Sequence, residues 1–212
     1  MSEIIRLLPN ENLSGEVLAR VAAAAKSCKI VAFPTDTVYG LGTTGLIKAA
    51  TRKIYQIKNR STLKPLPIFV KSAAEAKRWA QWTPAAELLA KEFWPGPLTL
   101  VLRPTEAGRV LTFAEYPTIA LRVPAHPVIL KLLEASDIPW VSTSANRSGS
   151  PALKDGISVV KEFEGAVDFI IDAGSVAGME STLVDVSEIP IRILREGALS
   201  SGQIMAALGQ SA

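Results

Sequence analysis

Short apolar segments alternate with amphipathic stretches along most of the chain, and this alternation limits the fold more than any other feature. Residues 29–33, 98–103 and 118–123 are apolar runs of strand length. Residues 46–58 and 127–136 carry apolar side chains at helical spacing instead. The pattern predicts about eight strands and six helices, which favours an α/β or α+β domain over a helical bundle or a β-sandwich.

The final predicted strands, between residues 167 and 194, follow one another with little helix between them. Since strands joined by short connections pair antiparallel, we expect a sheet of mixed parallel and antiparallel strands with flanking helices. Ser72 and Thr83 are typical N-cap residues, and Pro84 suits the first position of a helix. No repeat or linker interrupts the pattern, so residues 1–212 are predicted to form a single domain.

Cysteine and histidine occur once each, as Cys28 and His126. This excludes an intrachain disulfide and any metal site built from several Cys or His side chains, and we predict no protein-bound metal. No run approaches the ~18 apolar residues of a membrane helix, and the first residues lack a signal-peptide pattern. We therefore expect a cytoplasmic protein without membrane association. The net charge of +3 does not by itself indicate a nucleic-acid partner.

Polar side chains crowd into residues 34–42, Pro-Thr-Asp-Thr-Val-Tyr-Gly-Leu-Gly, directly after an apolar strand. Thr35, Asp36 and Thr37 offer two hydroxyls and a carboxylate, and the glycines let the backbone approach a ligand closely. An ordinary turn that only ends the strand would explain the same residues.

Separate segments carry cations in positions that suit an anionic ligand. Lys58 and Arg60 lie at a predicted helix end and can face one anion, although cations that balance the helix dipole are the alternative. Arg122 interrupts an apolar strand, where an arginine is costly unless it is paired or faces a cleft. Arg192 and Arg195 should point to opposite faces of a strand, and we expect Arg195, beside a glycine-containing turn, to serve a site.

A second cluster of hydroxyls follows the strand predicted at residues 139–143. Ser142, Ser144 and Asn146 lie near its carboxyl end, where open α/β sheets usually bind ligands, although a plain loop is the alternative. His126 precedes a proline at a helix start and is interpreted as structural rather than as a general base. Since the Walker A phosphate loop is absent, side chains from separate segments would have to hold a nucleotide.

Five segments, taken together in chain order, resemble the YrdC-like family of threonylcarbamoyl-AMP synthases. They are residues 34–42, Lys58-x-Arg60, Trp94-Pro-Gly-Pro-Leu-Thr99, Arg122-Val-Pro and Ser142-x-Ser-Ala-Asn146. The resemblance implies a twisted open α/β sheet around a deep positive cavity. It also implies synthesis of L-threonylcarbamoyladenylate and pyrophosphate from L-threonine, bicarbonate or CO₂, and ATP. A downstream transferase would then modify a tRNA adenosine.

The resemblance also assigns residues to the two larger substrates. Threonine should be bound by Thr35, Arg122, Ser142, Ser181 and Thr182, with Arg122 pairing with the carboxylate. ATP should be held by Lys58, Arg60, Thr118, Ser144, Asn146 and Arg195. Lys58 and Arg60 are the expected catalytic residues, and Mg²⁺ should accompany ATP.

The chain departs from the family pattern at Ser61, where many members carry proline after Arg60. It resembles the short members, which lack an additional C-terminal domain. A YciO-like paralogue that binds tRNA or double-stranded RNA without catalysis is the alternative function. The intact Thr35, Lys58 and Arg60 favour the synthase, and ATP turnover would distinguish the two functions.

Overall fold

Ten strands and seven α-helices occur in the part of the chain that the computed structural model describes, which is residues 1–8, 11–59, 61, 65–113 and 116–209. The strands are β1 (Glu3–Arg6), β2 (Val31–Phe33), β3 (Gly40–Thr44), β4 (Ile68–Phe69), β5 (Leu98–Leu102), β6 (Ile119–Arg122), β7 (Trp140–Ser144), β8 (Phe169–Asp172), β9 (Thr182–Asp185) and β10 (Arg192–Arg195). The helices are α1 (Gly15–Lys26), α2 (Lys48–Lys58), α3 (Ala73–Trp79), α4 (Pro84–Phe93), α5 (Pro127–Ser136), α6 (Gly156–Phe163) and α7 (Ser201–Ala207), with a 3-10 helix at Ala107–Leu111.

All ten strands belong to one open sheet, in the order β1-β8-β2-β3-β7-β4-β6-β5-β9-β10. Strand β8 runs parallel to β1 and β2, and β5 runs parallel to β9. Strand β3 is antiparallel to both its neighbours, and β9 is antiparallel to β10. The predicted mixed α/β sheet is therefore confirmed, including antiparallel pairing among the last strands.

Two hydrophobic clusters cover the two faces of this sheet. Side chains of α1 and α5, among them Val21 and Leu132, pack with Phe33 of β2 in the smaller cluster. The neighbouring Ala32 belongs to the larger cluster, which includes side chains of α2, α3, α4, α6 and α7. Because successive strand residues face opposite sides, this alternation puts helices on both faces of the sheet.

The sequence pattern does not predict strands β1 and β3. The sequence does not indicate β3 because Gly40 and Gly42 belong to it, and glycine is a poor strand former. A Cβ built at Gly40 or Gly42 would lie 2.9 or 2.8 Å from the Phe33 ring. The glycines therefore make room for Phe33 within the sheet. The Gly-x-Gly-x-x-Gly sequence at 40–45 begins inside an antiparallel strand, unlike the helix-opening turn of dinucleotide-binding folds.

The predicted helix starts agree with the structure. The hydroxyls of Ser72 and Thr83 each accept a backbone N–H from the third following residue, at 3.1 Å. His126 is the N-cap of α5, and its Nδ1 accepts the N–H of Val128 at 3.2 Å. The single histidine thus has the structural position that the sequence indicated. None of the helices in the described residues is long and apolar enough to cross a membrane.

Candidate functional site

A cavity of about 260 Å³ lies against the centre of the sheet, and strands β3, β7, β4, β6, β5, β9 and β10 all contribute lining residues. It gathers side chains that are far apart in sequence, because the strand order brings these segments side by side. The predicted site residues on its walls are Thr35, Thr118, Arg122, Ser142, Ser144, Ser181 and Arg195. The side chains of these predicted residues offer hydroxyl and guanidinium groups to the cavity.

Arg122 ends strand β6 and is only 3% exposed, although it lines the cavity. Its Nη2 donates to Asp36 Oδ1 at 2.7 Å, its Nη1 to Thr37 Oγ1 at 3.1 Å, and its Nε to the Gly96 carbonyl at 3.0 Å. Burial lowers the pKa of Arg122, while the charge of Asp36 and its hydrogen bond oppose that effect. The side chain is thus both paired and at a cleft, the two conditions under which an arginine is tolerated in an apolar strand.

Asp36 holds this arginine from the turn after β2. Its Oδ1 accepts a second hydrogen bond, from the backbone N–H of Ala125 at 3.0 Å. Its Oδ2 is buried and has no hydrogen-bond partner among the described residues. The sequence singles out Asp36 as part of a polar motif but does not reveal its partner, since Arg122 lies 86 positions further along the chain.

Arg195 approaches the same cavity from β10 and is much more exposed. Its Nη1 donates to Glu180 Oε2 at 2.7 Å, and its Nη2 donates to the carbonyl oxygen of Ser181 at 2.9 Å. Arg192 instead pairs with Asp185 at 2.8 Å and is not among the lining residues. The strand register shifts between Ile193 and Arg195. Arg195 lines the cavity and Arg192 does not, but the expectation that they point to opposite faces is wrong, because their partners Leu183 and Asp185 share one face of β9.

Lys58 is buried at the end of α2 and does not line the cavity. Its Nζ donates to the Ser144 carbonyl at 2.5 Å, to the Asn146 carbonyl at 2.8 Å and to Asn146 Oδ1 at 2.7 Å. These bonds fasten α2 to the segment after β7, and Asn146 is not a lining residue either. Arg60 lies outside the described residues, so the expected roles of Lys58 and Arg60 in catalysis stay predictions.

Thr182 also lies beside the cavity without lining it. Its hydroxyl donates to the Leu199 carbonyl at 2.6 Å and accepts the N–H groups of Gly197 and Leu199 at 2.9 and 3.0 Å. Thr182 therefore holds the turn after β10, and its predicted contact with threonine stays a prediction.

The polar lining residues to which the sequence assigned no binding role include Thr37, Thr99 and Glu180. Thr99 Oγ1 lies 2.9 Å from Ser181 Oγ, in a contact between neighbouring strands. Strand alternation could have indicated Thr99, because residues 98–102 are otherwise apolar.

The charges on the described cavity wall are Arg122, Arg195 and Glu180. Since each arginine already faces a carboxylate, the positive cavity implied by the family resemblance stays a prediction. No group of three or more His, Cys, Asp or Glu side chains within the described ranges could hold a metal ion.

Comparisons with known proteins identify the family. A family model named for Sua5, YciO and YrdC, and described as telomere recombination, matches residues 23–197. The threonylcarbamoyl-AMP synthase of Pyrococcus abyssi (strain GE5 / Orsay) is 43% identical over 195 residues, which are 90% of this chain and 57% of that protein. The chain thus spans little more than half the length of this curated relative.

Two solved structures share the fold closely. P. abyssi Sua5 complexed with L-threonine has a TM-score of 0.92 and 38% identity, covering 99% of this chain and 62% of that one. E. coli YciO has a TM-score of 0.88 and 26% identity, covering 96% of this chain and 100% of that one. Together with the family model, these similarities mean that the chain belongs to the Sua5/YciO/YrdC family.

Proposed function

We propose that this chain is a threonylcarbamoyl-AMP synthase, a nucleotidyltransferase that makes L-threonylcarbamoyladenylate and pyrophosphate from L-threonine, CO₂ or bicarbonate, and ATP. The observation that carries the proposal is Arg122, a buried guanidinium on a cavity wall. Three of its five N–H groups bond to protein atoms, and the other two have no partner among the described residues. The names of the P. abyssi relative and of the Sua5 structure with bound L-threonine support this assignment.

Threonine binds in this proposal with its carboxylate on the remaining N–H groups of Arg122. A charge-assisted bond to a buried guanidinium is stronger than a neutral one and resists competition from water. Ser142 and Ser181 line the same cavity and supply hydroxyls to the amino acid. Thr35 and Thr182 support the surrounding loops, since their hydroxyls already bond to backbone groups.

The reaction needs positioning and charge stabilisation more than proton transfer. The neutral threonine amine forms a bond to the carbon of CO₂ and loses a proton to solvent, which gives a carbamate. A carbamate oxygen then bonds to the α-phosphorus of ATP, and the bond to the β-phosphate bridging oxygen breaks with its electrons on pyrophosphate. The lone histidine, His126, takes no part in these steps, since it is not among the residues that line the cavity.

ATP lies on the more exposed side of the cavity in this scheme. Arg195 contacts the phosphates, while Ser144 and Thr118 contact the nucleotide. Lys58 orients the segment that carries Ser144 and Asn146, and Arg60 is the adjacent catalytic candidate. Mg²⁺ arrives with the triphosphate, since it prefers phosphate and water oxygens and usually keeps several waters.

The product is a mixed anhydride of a carbamic and a phosphoric acid, which is a strong acyl donor. A downstream threonylcarbamoyl transferase in the cytoplasm would use it on a tRNA adenosine. Direct binding of tRNA or another RNA belongs to the alternative function and distinguishes it from the synthase.

Pyrophosphate release by the purified protein tests the proposal. Release should require ATP, L-threonine and bicarbonate together and should stop when any one of them is omitted. An RNA-binding protein of the YciO-like type would release none and would instead bind RNA with an affinity that falls steeply with salt. That outcome would contradict the synthase and favour the alternative.

A further inference from the structure

A second cavity, called the small cavity below, lies beside the 3-10 helix at Ala107–Leu111 and has a volume of about 20 Å³. One water needs roughly 10–15 Å³ of such space, so the small cavity holds a single molecule somewhat larger than water. Pro65, Thr118 and Ala120 line both the small cavity and the proposed substrate cavity. The two cavities are therefore neighbours with a shared wall.

The shared wall lies at the beginnings of two strands. Thr118 immediately precedes β6, and Pro65 lies three residues before β4. These strands are parallel neighbours, so both residues lie at the same end of the strand pair. In the proposed function Thr118 contacts the nucleotide. A molecule that leaves the small cavity past Thr118 therefore enters the substrate cavity beside ATP.

The walls of the small cavity suit an uncharged molecule. None of its described lining residues carries a charge. Its aliphatic lining side chains are all buried, and they are Leu66, Ile68, Leu111, Ile119 and Val141. An anion is costly to bury where no cation accompanies it. The small cavity should therefore exclude bicarbonate and accept a neutral ligand.

Tyr116 adds one polar group to this apolar lining. Its ring packs edge-on against Phe113, with the ring centroids 6.2 Å apart, and both residues line the small cavity. Its hydroxyl oxygen is buried and has no hydrogen-bond partner among the described residues. A buried polar atom without a partner is uncommon in a folded protein, and a phenol hydroxyl can donate. A bound molecule with an acceptor oxygen would supply the missing partner.

We propose that the small cavity binds CO₂ before its reaction with the threonine amine, and that this chain uses CO₂ rather than bicarbonate. The inference rests on the proposed function, which consumes one of these two carbon sources. CO₂ is small, uncharged and linear, and its oxygens can only accept hydrogen bonds. Apolar walls favour it because they remove it from water, and the hydroxyl of Tyr116 suits its oxygens. Bicarbonate would instead need the cations of the substrate cavity, Arg122 and Arg195.

The first test identifies the form of carbon that the purified chain uses. CO₂ and bicarbonate interconvert slowly in the cold unless carbonic anhydrase is present. With ATP and L-threonine, a reaction started with CO₂ should release pyrophosphate at once, and one started with bicarbonate should show a lag. Carbonic anhydrase should remove the difference. Absence of a lag with bicarbonate would overturn this inference alone, whereas no release from either source would overturn the proposed function as well.

The second test fills the small cavity. Val141→Ile adds one methylene at its wall, and Val184→Ile adds the same group at a buried site that lines neither cavity. Val141→Ile should raise the KM for CO₂ about fivefold or more, while the KM values for threonine and ATP change less than about twofold. The control should change all three values less than about twofold. Unchanged KM values in Val141→Ile, or equal increases for all three substrates, would overturn the assignment.

Tyr116→Phe provides an independent test if Val141→Ile fails to fold. It removes the hydroxyl and keeps the ring, so the KM for CO₂ should rise about two- to tenfold, as expected for the loss of a neutral hydrogen bond. The melting temperature without substrates should not fall, because the hydroxyl has no partner among the described residues. An unchanged KM for CO₂, or a lower melting temperature, would mean that the hydroxyl serves the fold rather than the substrate.

Discussion

Two arginines meet the same cavity, each paired with a carboxylate at 2.7 Å, yet their surroundings differ. The Arg122 and Asp36 side chains are 4% and 16% exposed, whereas those of Arg195 and Glu180 are 44% and 40% exposed. A buried pair cannot exchange its partner for water, while an exposed pair is screened and weak. The ion pair of Arg122 with Asp36 is therefore a permanent part of the fold. The ion pair of Arg195 with Glu180 has the same length but can be exchanged for other contacts.

Substitution of the two carboxylates should break this symmetry most clearly. Asp36→Asn leaves Arg122 buried without its counter-charge and should lower the free energy of unfolding by about 3–5 kcal/mol. Glu180→Gln, the matched control, should change it by less than about 1 kcal/mol. Urea denaturation measures both values. Similar losses in the two variants would contradict the assignment of different roles to the pairs.

The next largest effects concern ligand binding by the arginines themselves. Arg122→Ala should raise the Kd for threonine about 10- to 150-fold, as expected for a lost charge-assisted hydrogen bond, and affect ATP binding much less. Arg195→Ala should show the opposite preference. Isothermal titration calorimetry with each ligand distinguishes the two. Equal loss of both ligands, or loss of neither, in Arg122→Ala would argue against the proposed carboxylate site.

Mildly acidic pH should destabilise the fold near the buried pair, because His126 lies close to Asp36. Burial lowers the pKa of His126 in the folded protein, and Asp36 only partly opposes this. The unfolded chain then binds the proton more readily, so stability is complete above the unfolded pKa of about 6.5 and falls as the pH drops below it. Protonation of Nδ1 also removes the cap of α5.

His126→Asn retains an N-cap acceptor without this titration and serves as the comparison. Between pH 7.5 and pH 5.5, the wild type should lose about 1 kcal/mol more stability than the variant, which is the usual contribution of an N-cap. Thermal or urea unfolding across this range gives the difference. Parallel pH profiles for the two proteins would contradict a role for His126.

The smallest effect is expected from releasing Arg195. In Glu180→Gln this arginine no longer has a competing carboxylate, so pyrophosphate should bind about two- to fivefold more tightly at low salt. The gain should shrink as salt is added, because screening weakens the exposed ion pair that the substitution removes. Binding measured at two ionic strengths checks this. A weaker affinity in the variant would mean that Glu180 assists the anion rather than competing with it.

The sequence predicts those features of the site that depend on residues close together in the chain. Arg122 stands out because a guanidinium in an apolar strand needs a partner or a cleft, and it has both. The alternation of strand residues does not explain why Arg195 rather than Arg192 lines the cavity, because the register of β10 shifts between Ile193 and Arg195. Helix starts at Ser72 and Thr83 are equally local, since the cap bonds span only three residues.

Features that depend on distant packing could not be predicted in this way. The spacing of Lys58 and Arg60 suggests an anion, but Lys58 turns toward the oxygens of Ser144 and Asn146 because α2 ends against the segment after β7. Strand β3 has a glycine-rich sequence that local propensity assigns to a turn, and only Phe33 in the neighbouring strand explains it. Both features depend on contacts between residues far apart in the chain, and a single sequence does not identify such contacts.

The strand order also bears on how this protein acquires its site. Val31 of β2 pairs with Phe169 of β8, and the cavity is bounded by segments from Thr35 to Arg195. Such pairings close very long loops, which slows folding relative to helical proteins whose contacts are local. On a ribosome, a nascent chain would have no complete cavity until β9 and β10 had emerged. Ligand binding should therefore report that β10 has been synthesised and that the sheet has formed.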